Sequence, residues 1–135
     1  MKFGELGLDK SLLKAVKRSG FEEATPIQAE TIPLVLAGND VIGQAQTGTG
    51  KTAAFGLPVL QQLDLDLRQI QAVIISPTRE LAIQINETFE AMNPQVNLKS
   101  AVIFGGVRQG SQVTKINRGI DVLIATPGRL IDLYN

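Results

Sequence analysis

The chain contains no cysteine and no histidine. Disulfides, cysteine–histidine zinc sites, cysteine nucleophiles and any Ser-His-Asp triad are therefore excluded. Any hydrolytic chemistry has to rest on carboxylates, Lys, Arg, backbone amides and a hard cation such as Mg²⁺. No apolar run approaches the ~20 residues of a membrane-spanning helix, and Met1-Lys2-Phe3-Gly4-Glu5 lacks the apolar core of a signal peptide. The expected compartment is cytoplasmic. A bulk basic field is also missing, since 13 basic and 13 acidic side chains cancel. The balance is uneven along the chain: residues 1–97 carry 8 basic and 11 acidic groups, residues 98–135 carry 5 and 2. That asymmetry points any polyanion contact toward the C-terminal part. With 44% hydrophobic residues over 135 positions, the composition is that of one globular domain or part of one.

What is present is dominated by one stretch, Ala45-Gln46-Thr47-Gly48-Thr49-Gly50-Lys51-Thr52. It follows the short apolar run Asp40-Val41-Ile42-Gly43-Gln44, expected to be a strand, and opens into Ala53-Ala54-Phe55-Gly56-Leu57, expected to be a helix. Strand, glycine-rich turn and helix in that order are the context of a phosphate-binding loop. Gly48 and Gly50 allow positive φ and a close approach of backbone to phosphate. Amide N–H groups at the helix start then face the anion, aided by the macrodipole. Lys51 can reach the β- and γ-phosphates, and the Thr52 hydroxyl suits Mg²⁺. The general pattern has glycine where this chain has Ala45. The reading is a nucleoside triphosphate site.

Along the rest of the chain, Asp9 is placed to cap a helix with Leu12, Leu13 and Val16 on one face, ended by Gly20. Thr25-Pro26-Ile27-Gln28 has the form of a capping box with proline at the first helical position, so Gln28 has a purely local role available to it. That helix is expected to run to about Ala37, bent at Pro33. Gln71 to Ser76 reads as a buried parallel strand, followed by a helix capped by Thr78 with Leu81, Ile85 and Phe89 stacked four apart. Leu98 to Phe104 is a further strand, Gly110 to Asn117 a weaker helix, and Ile120 to Ala125 a third strand before a helix opened by Thr126-Pro127-Gly128-Arg129. Alternating strand and helix give the fold class α/β, with a mainly parallel sheet covered on both faces. Three turns follow strand ends: Pro77-Thr78-Arg79-Glu80, Gly105-Gly106 and Thr126-Pro127-Gly128-Arg129. Ligands of open α/β sheets bind at that edge, so these turns and the phosphate loop are expected to share it. Each turn taken alone fits a helix cap with a surface arginine. Three in series form a plausible track for a phosphodiester backbone.

These residues resemble the N-terminal RecA-like P-loop domain of DEAD-box ATP-dependent RNA helicases, and the resemblance covers essentially the whole chain. Gly20-Phe21 with Thr25-Pro26-Ile27-Gln28 resembles the Q motif, and Phe3 lies where the family has an isolated upstream aromatic. AQTGTGKT at 45–52 is the family's form of the phosphate loop, in which alanine at the first position is usual. PTRELA at 77–82, Gly105-Gly106 and TPGR at 126–129 resemble motif Ia, the GG motif and motif Ib. Ala24 departs from the proline common in the Q motif, while Pro26 still fixes the turn.

The resemblance implies a Q-motif region over 1–39 and part of a RecA-like ATP-binding domain over 40–135. It implies ATP held by Phe21, Thr25, Gln28 and residues 45–52, with Phe21 stacking on the base and Gln28 reading the adenine edge. Lys51 and Thr52 are the expected catalytic contributors, and Thr52 is the expected Mg²⁺ ligand. RNA, single strand or duplex, is expected on Thr78, Arg79, Gly105, Gly106, Thr126, Pro127, Gly128 and Arg129, through phosphates. The helix opened by Pro127 resembles the one that bends the bound strand. The family's Asp-Glu-Ala-Asp and Ser-Ala-Thr motifs and second RecA-like domain do not occur within 1–135. The stretch alone is therefore expected to be inactive in ATP hydrolysis, with Val41, Ile42, Val122, Leu123 and Ile124 left exposed for want of neighbouring strands. A non-catalytic ATP- and RNA-binding module is the alternative. A P-loop GTPase or kinase would lack its guanine-reading Asn-Lys-x-Asp stretch and leave TPGR unexplained.

Overall fold

The computed structural model describes residues 2–46, 50–64, 66–67, 69–93, 98–103, 116 and 119–134, with residues 130 and 132–134 as backbone only. Helices are α1 (Lys10–Arg18), α2 (Pro26–Leu36), α3 (Lys51–Gln62), α4 (Arg79–Met92) and α5 (Pro127–Tyr134), and strands are β1 (Ala72–Ile75), β2 (Ser100–Ile103) and β3 (Val122–Ala125). A 3₁₀ turn, Phe3–Glu5, precedes α1. The chain forms two compact units, one of residues 1–62 with 88–94, the other of residues 63–87 with 95–135.

In the first unit, α1 buries Leu12, Ala15 and Val16 and leaves Lys10, Lys14, Lys17 and Arg18 exposed, so its period of 3.6 is the pattern read from the sequence. Asp9 sits at the N-cap position, but its side chain makes no capping bond there. The C-terminus closes as a Schellman motif: Gly20 N–H donates to the Lys17 carbonyl, Phe21 N–H to that of Val16, and Gly20 takes φ +88°. The same device ends α2, with Gly38 N–H on Val35, Asn39 N–H on Leu34, and Gly38 at φ +91°. The helix α2 continues through Pro33, which is exposed. Phe89 and Met92, the part of α4 that belongs to this unit, are fully buried. They lie against Gly56, where a Cβ would come within 2.9 Å of the Phe89 ring, and Phe55 meets Phe89 edge-on at 6.2 Å. Arg18 Nη2 and Ser19 Oγ donate to the carbonyls of Asn93 and Ala91, satisfying the end of α4.

The second unit holds a parallel sheet in the order β1-β3-β2. Ala72 to Ile75 and Ser100 to Ile103 both pair in register with Val122 to Ala125. All four β3 residues are buried, as a strand covered on both faces requires. The expectation that Val122, Leu123 and Ile124 would be exposed is therefore corrected: β3 is the central strand, with a neighbour on each side. Asp121 is buried just before it, its carboxylate accepting from Lys99 N–H at 3.1 Å and Gln71 Nε2 at 3.3 Å, which ties the starts of all three strands together.

A second correction concerns residues 40–44, which do not form a strand. None of the described strands pairs with them, and a strand without a ladder partner leaves its backbone groups unsatisfied. Ile42 is fully exposed there, while Val41 is half-buried. The expected helix over 110–117 lies outside the described residues except for Ile116, and Phe104 lies outside them too. Among the described residues no helix is long and apolar enough to cross a membrane, and no cluster of acidic residues could hold a metal ion.

Candidate nucleotide and nucleic-acid site

The phosphate-loop side is built in the first unit. Gly50 takes φ +85°, the left-handed conformation that a side chain disfavours, and its carbonyl accepts the Ala54 N–H at 3.1 Å as the first bond of α3. Lys51 is the first residue of that helix and is exposed; Thr52 follows in the first turn, half-buried. A lysine, a hydroxyl and the N–H groups of a helix start thus share one turn, suited to an anion with its cation. Ala45 is half-buried and Gln46 exposed, while Thr47, Gly48 and Thr49 lie outside the described residues.

Gln28 reaches this turn from α2. Its Oε1 accepts the Thr25 backbone N–H at 2.9 Å, and its Nε2 donates to the Gly50 carbonyl at 3.1 Å. The side chain is only 1% exposed. The residues of the capping box are in place, but only its Gln28 half closes as a hydrogen bond: Thr25 Oγ1 is buried with no partner. A Cβ on Gly50 would overlap Gln28 Nε2 and lie 3.4 Å from that same Thr25 hydroxyl. The bare glycine, the orphaned hydroxyl and the amide therefore crowd one point at the mouth of α3. Phe21 is half-buried and tilts against the buried Phe3 ring with centroids 6.3 Å apart. A cavity of about 610 Å³ opens beside both rings, lined also by Leu13, Val16 and Lys17; none of the described phosphate-loop residues lines it.

The nucleic-acid side is built in the second unit. Ser76 N–H donates to the Ala125 carbonyl and Thr126 N–H to that of Ile103, so the chain leaves β1 and β3 at one edge of the sheet. Thr78 Oγ1 accepts the Leu81 N–H at 3.2 Å and so caps α4, whose first residue is the exposed Arg79. Half-buried Thr126 precedes α5, which starts at Pro127, with Gly128 open to solvent and Arg129 half-buried. Two of the three expected turns are thus brought together, each at a helix N-terminus. Gly105 and Gly106 lie outside the described residues.

Residues 25–135 match the family described as DEAD/DEAH box helicase. The chain belongs to that family. This helicase-family chain is 56% identical over its whole length to an ATP-dependent RNA helicase CshA of Limosilactobacillus reuteri, covering 27% of that protein. It is 49% identical over 98% of its length to the DEAD-box ATP-dependent RNA helicase CshA of Bacillus subtilis (strain 168), again covering 27%. It thus spans about a quarter of the length of the curated relatives it matches. Its fold matches the crystal structure of a DEAD box protein from the hyperthermophile Methanococcus jannaschii with a TM-score of 0.93 and 39% identity, over 98% of this chain and 36% of that one. The three-stranded parallel sheet and its helices are thereby those of a RecA-like α/β domain.

One residue that the sequence did not single out is Gln61, near the end of α3. Its Oε1 accepts the Asp9 backbone N–H at 2.7 Å and its Nε2 donates to the Gly7 carbonyl at 3.1 Å. Nothing local marks it, because its partners lie 52 and 54 residues earlier.

Proposed function

We propose that this chain is the ATP- and RNA-binding part of a cytoplasmic ATP-dependent RNA helicase, acting with Mg²⁺ and a second RecA-like domain of a longer protein. The observation that carries the nucleotide half is the Gln28–Gly50 bond, which joins the Q-like element to the turn that starts α3. Residues 1–39 supply the base-reading region and residues 40–135 the partial ATP-binding domain. This is a division of roles, since the first compact unit holds both Gln28 and the phosphate-loop turn.

The residues suit the ligand. Gly50 supplies the positive φ with which the loop turns into α3, Lys51 offers charge to the β- and γ-phosphates, and Thr52 offers an oxygen to Mg²⁺. Phe21 offers a ring to the base and Gln28 an amide of the kind that pairs with adenine N6 and N7. Thr25, Ala45, Gln46, Thr47, Gly48 and Thr49 complete the nucleotide contacts in this reading. Thr78, Arg79, Thr126, Pro127, Gly128 and Arg129, with Gly105 and Gly106, hold one RNA strand by its phosphates and read little of its sequence. Magnesium supplies charge neutralisation between the β- and γ-phosphates when bound.

The test is nucleotide selectivity measured by NMR titration of the 135-residue chain with Mg-ATP and Mg-GTP. Gln28→Ala is expected to weaken ATP binding about tenfold and to leave the weaker GTP binding within twofold. Equal losses for the two nucleotides would leave Gln28 as a helix cap alone and remove the adenine assignment.

A further inference from the structure

We infer that Gln61 is a positioning residue for the adenosine half of the nucleotide site, acting through α1 on Phe21; the inference rests on the nucleotide reading above. The two glutamines of this unit do the same thing at two places. Gln28 satisfies the N–H of Thr25, the N-cap of α2, from three residues away. Gln61 satisfies the N–H of Asp9, the N-cap of α1, from 52 residues away. The Asp9 N–H is one of the helix-start donors that find no partner within their own helix, and here Gln61 takes the place of water. By also donating to the Gly7 carbonyl, Gln61 bridges an acceptor and a donor of the Gly7-Leu8-Asp9 backbone, as a neighbouring strand would.

The consequence lies at the other end of α1. Nine residues at 1.5 Å each make a rod of roughly 14 Å. Its near end is pinned to α3 by Gln61, and its far end closes on Phe21 through the bond from Phe21 N–H to the Val16 carbonyl at 3.2 Å. The segment before Gly7 carries Phe3, whose ring packs against Phe21. Both aromatic rings are thus delivered by chain that Gln61 clamps to α3, the helix whose first turn holds Lys51 and Thr52. A nucleotide spans a base and a triphosphate at fixed separation, so the helix that binds one end has to be registered to the ring that binds the other. Gln28 sets that register at the start of α3 and Gln61 sets it at the end.

The register predicts a selective loss. Gln61→Met keeps length and apolar contact and removes both hydrogen bonds. In NMR titrations of the 135-residue chain, the dissociation constant for Mg-ATP should rise fivefold or more, while that for Mg-tripolyphosphate, which has no base, stays within twofold. Gln62→Met, which removes a comparable bond from Nε2 to the Val35 carbonyl at 3.3 Å on the same helix turn, should change neither ligand by more than twofold. ATP and tripolyphosphate falling together, neither of them changing, or Gln62→Met reproducing the loss would each overturn the inference while leaving the nucleotide site standing. Wild-type chain that binds ATP no more tightly than tripolyphosphate would overturn the nucleotide reading and this inference with it. If Gln61→Met does not fold, Gln61→Glu, which keeps the Asp9 contact and drops the Gly7 one, is scored by the same ratio. Failure of both variants to fold would make Gln61 a folding residue and overturn the positioning role.

Discussion

Gly50→Ala and Gly38→Ala together separate two costs that a glycine can conceal. Both residues sit in the left-handed region, at φ +85° and +91°. At Gly38 an added Cβ meets nothing within 4 Å, whereas at Gly50 it overlaps the Gln28 amide. Gly38→Ala should therefore cost the backbone term alone, about 1–2 kcal/mol. Gly50→Ala carries that same term and also displaces Gln28 Nε2 from the Gly50 carbonyl. Because Gln28 is almost fully buried, an amide pushed off its partner adds about 1–3 kcal/mol of unsatisfied polar group. The sum, about 2–5 kcal/mol, is a large part of the 5–15 kcal/mol that typically stabilises a domain. The assay is urea unfolding followed through amide signals of α2 and α3, with free energies taken from the linear dependence on denaturant. The decisive arm is the double variant. With Gln28→Ala in the background the clash has no partner, so Gly50→Ala should fall to the cost seen at Gly38, a coupling of about 1–3 kcal/mol. Equal costs at the two glycines, or no coupling to Gln28, would refute the contact on which the nucleotide reading leans.

Three further outcomes follow from the site. Lys51→Ala should abolish detectable Mg-ATP and Mg-tripolyphosphate binding in the same NMR titration, with the urea midpoint unchanged because an exposed side chain carries little stability. Arg79→Ala and Arg129→Ala should each weaken RNA binding by similar factors for unrelated single strands, and each should flatten the salt dependence by about one unit of slope. A variant that altered sequence preference and left the slope intact would contradict a phosphate-dominated contact. Adding the two arginine substitutions together should lower the slope by about twice as much, measured by fluorescence anisotropy across a salt series.

What was legible in the sequence was whatever depends on neighbours a few residues apart. Thr25-Pro26-x-Gln28 announces the start of α2, Gly20 closes α1, and the Val122-Leu123-Ile124-Ala125 run announces a strand. The order of elements followed, and with it the fold. Pairing between distant elements was not legible. The run at 40–44 has the composition of a strand, but strand formation is a property of two segments, and no described strand lies beside this one. The exposure of β3 was misjudged for the same reason: which strand stands in the middle of a sheet cannot be read from one strand. By contrast β1, which among the described residues pairs only with β3, also leaves Val73 and Ile75 on one face exposed at 51% and 59%. No proline or charge lies within Ala72–Ile75 to blunt that edge. Within the candidate site the same division holds. Gln28 and Lys51 announced themselves by local motif, while the Gln28–Gly50 and Gln61–Asp9 bonds join positions 22 and 52 residues apart.

The capping role and the base-reading role of Gln28 are compatible on hydrogen-bond capacity. A carboxamide oxygen has two lone pairs and its nitrogen two hydrogens. The Thr25 N–H takes one lone pair, and the Gly50 carbonyl takes one hydrogen. One acceptor and one donor remain, the pair that the adenine N6 and N7 edge requires. The bonds already made hold the amide plane fixed, so the side chain gives up little rotational freedom when a base arrives, the condition under which a hydrogen bond contributes most to affinity. An unrestrained surface glutamine would lose rotamer freedom at that step. The local box thus orients Gln28, and the remote bond to Gly50 registers that orientation against the helix start that carries Lys51. A variant keeping the cap and losing the remote bond should retain the α2 helix and lose adenine selectivity. Gly50→Ala is that variant, which ties the stability and nucleotide experiments to one contact.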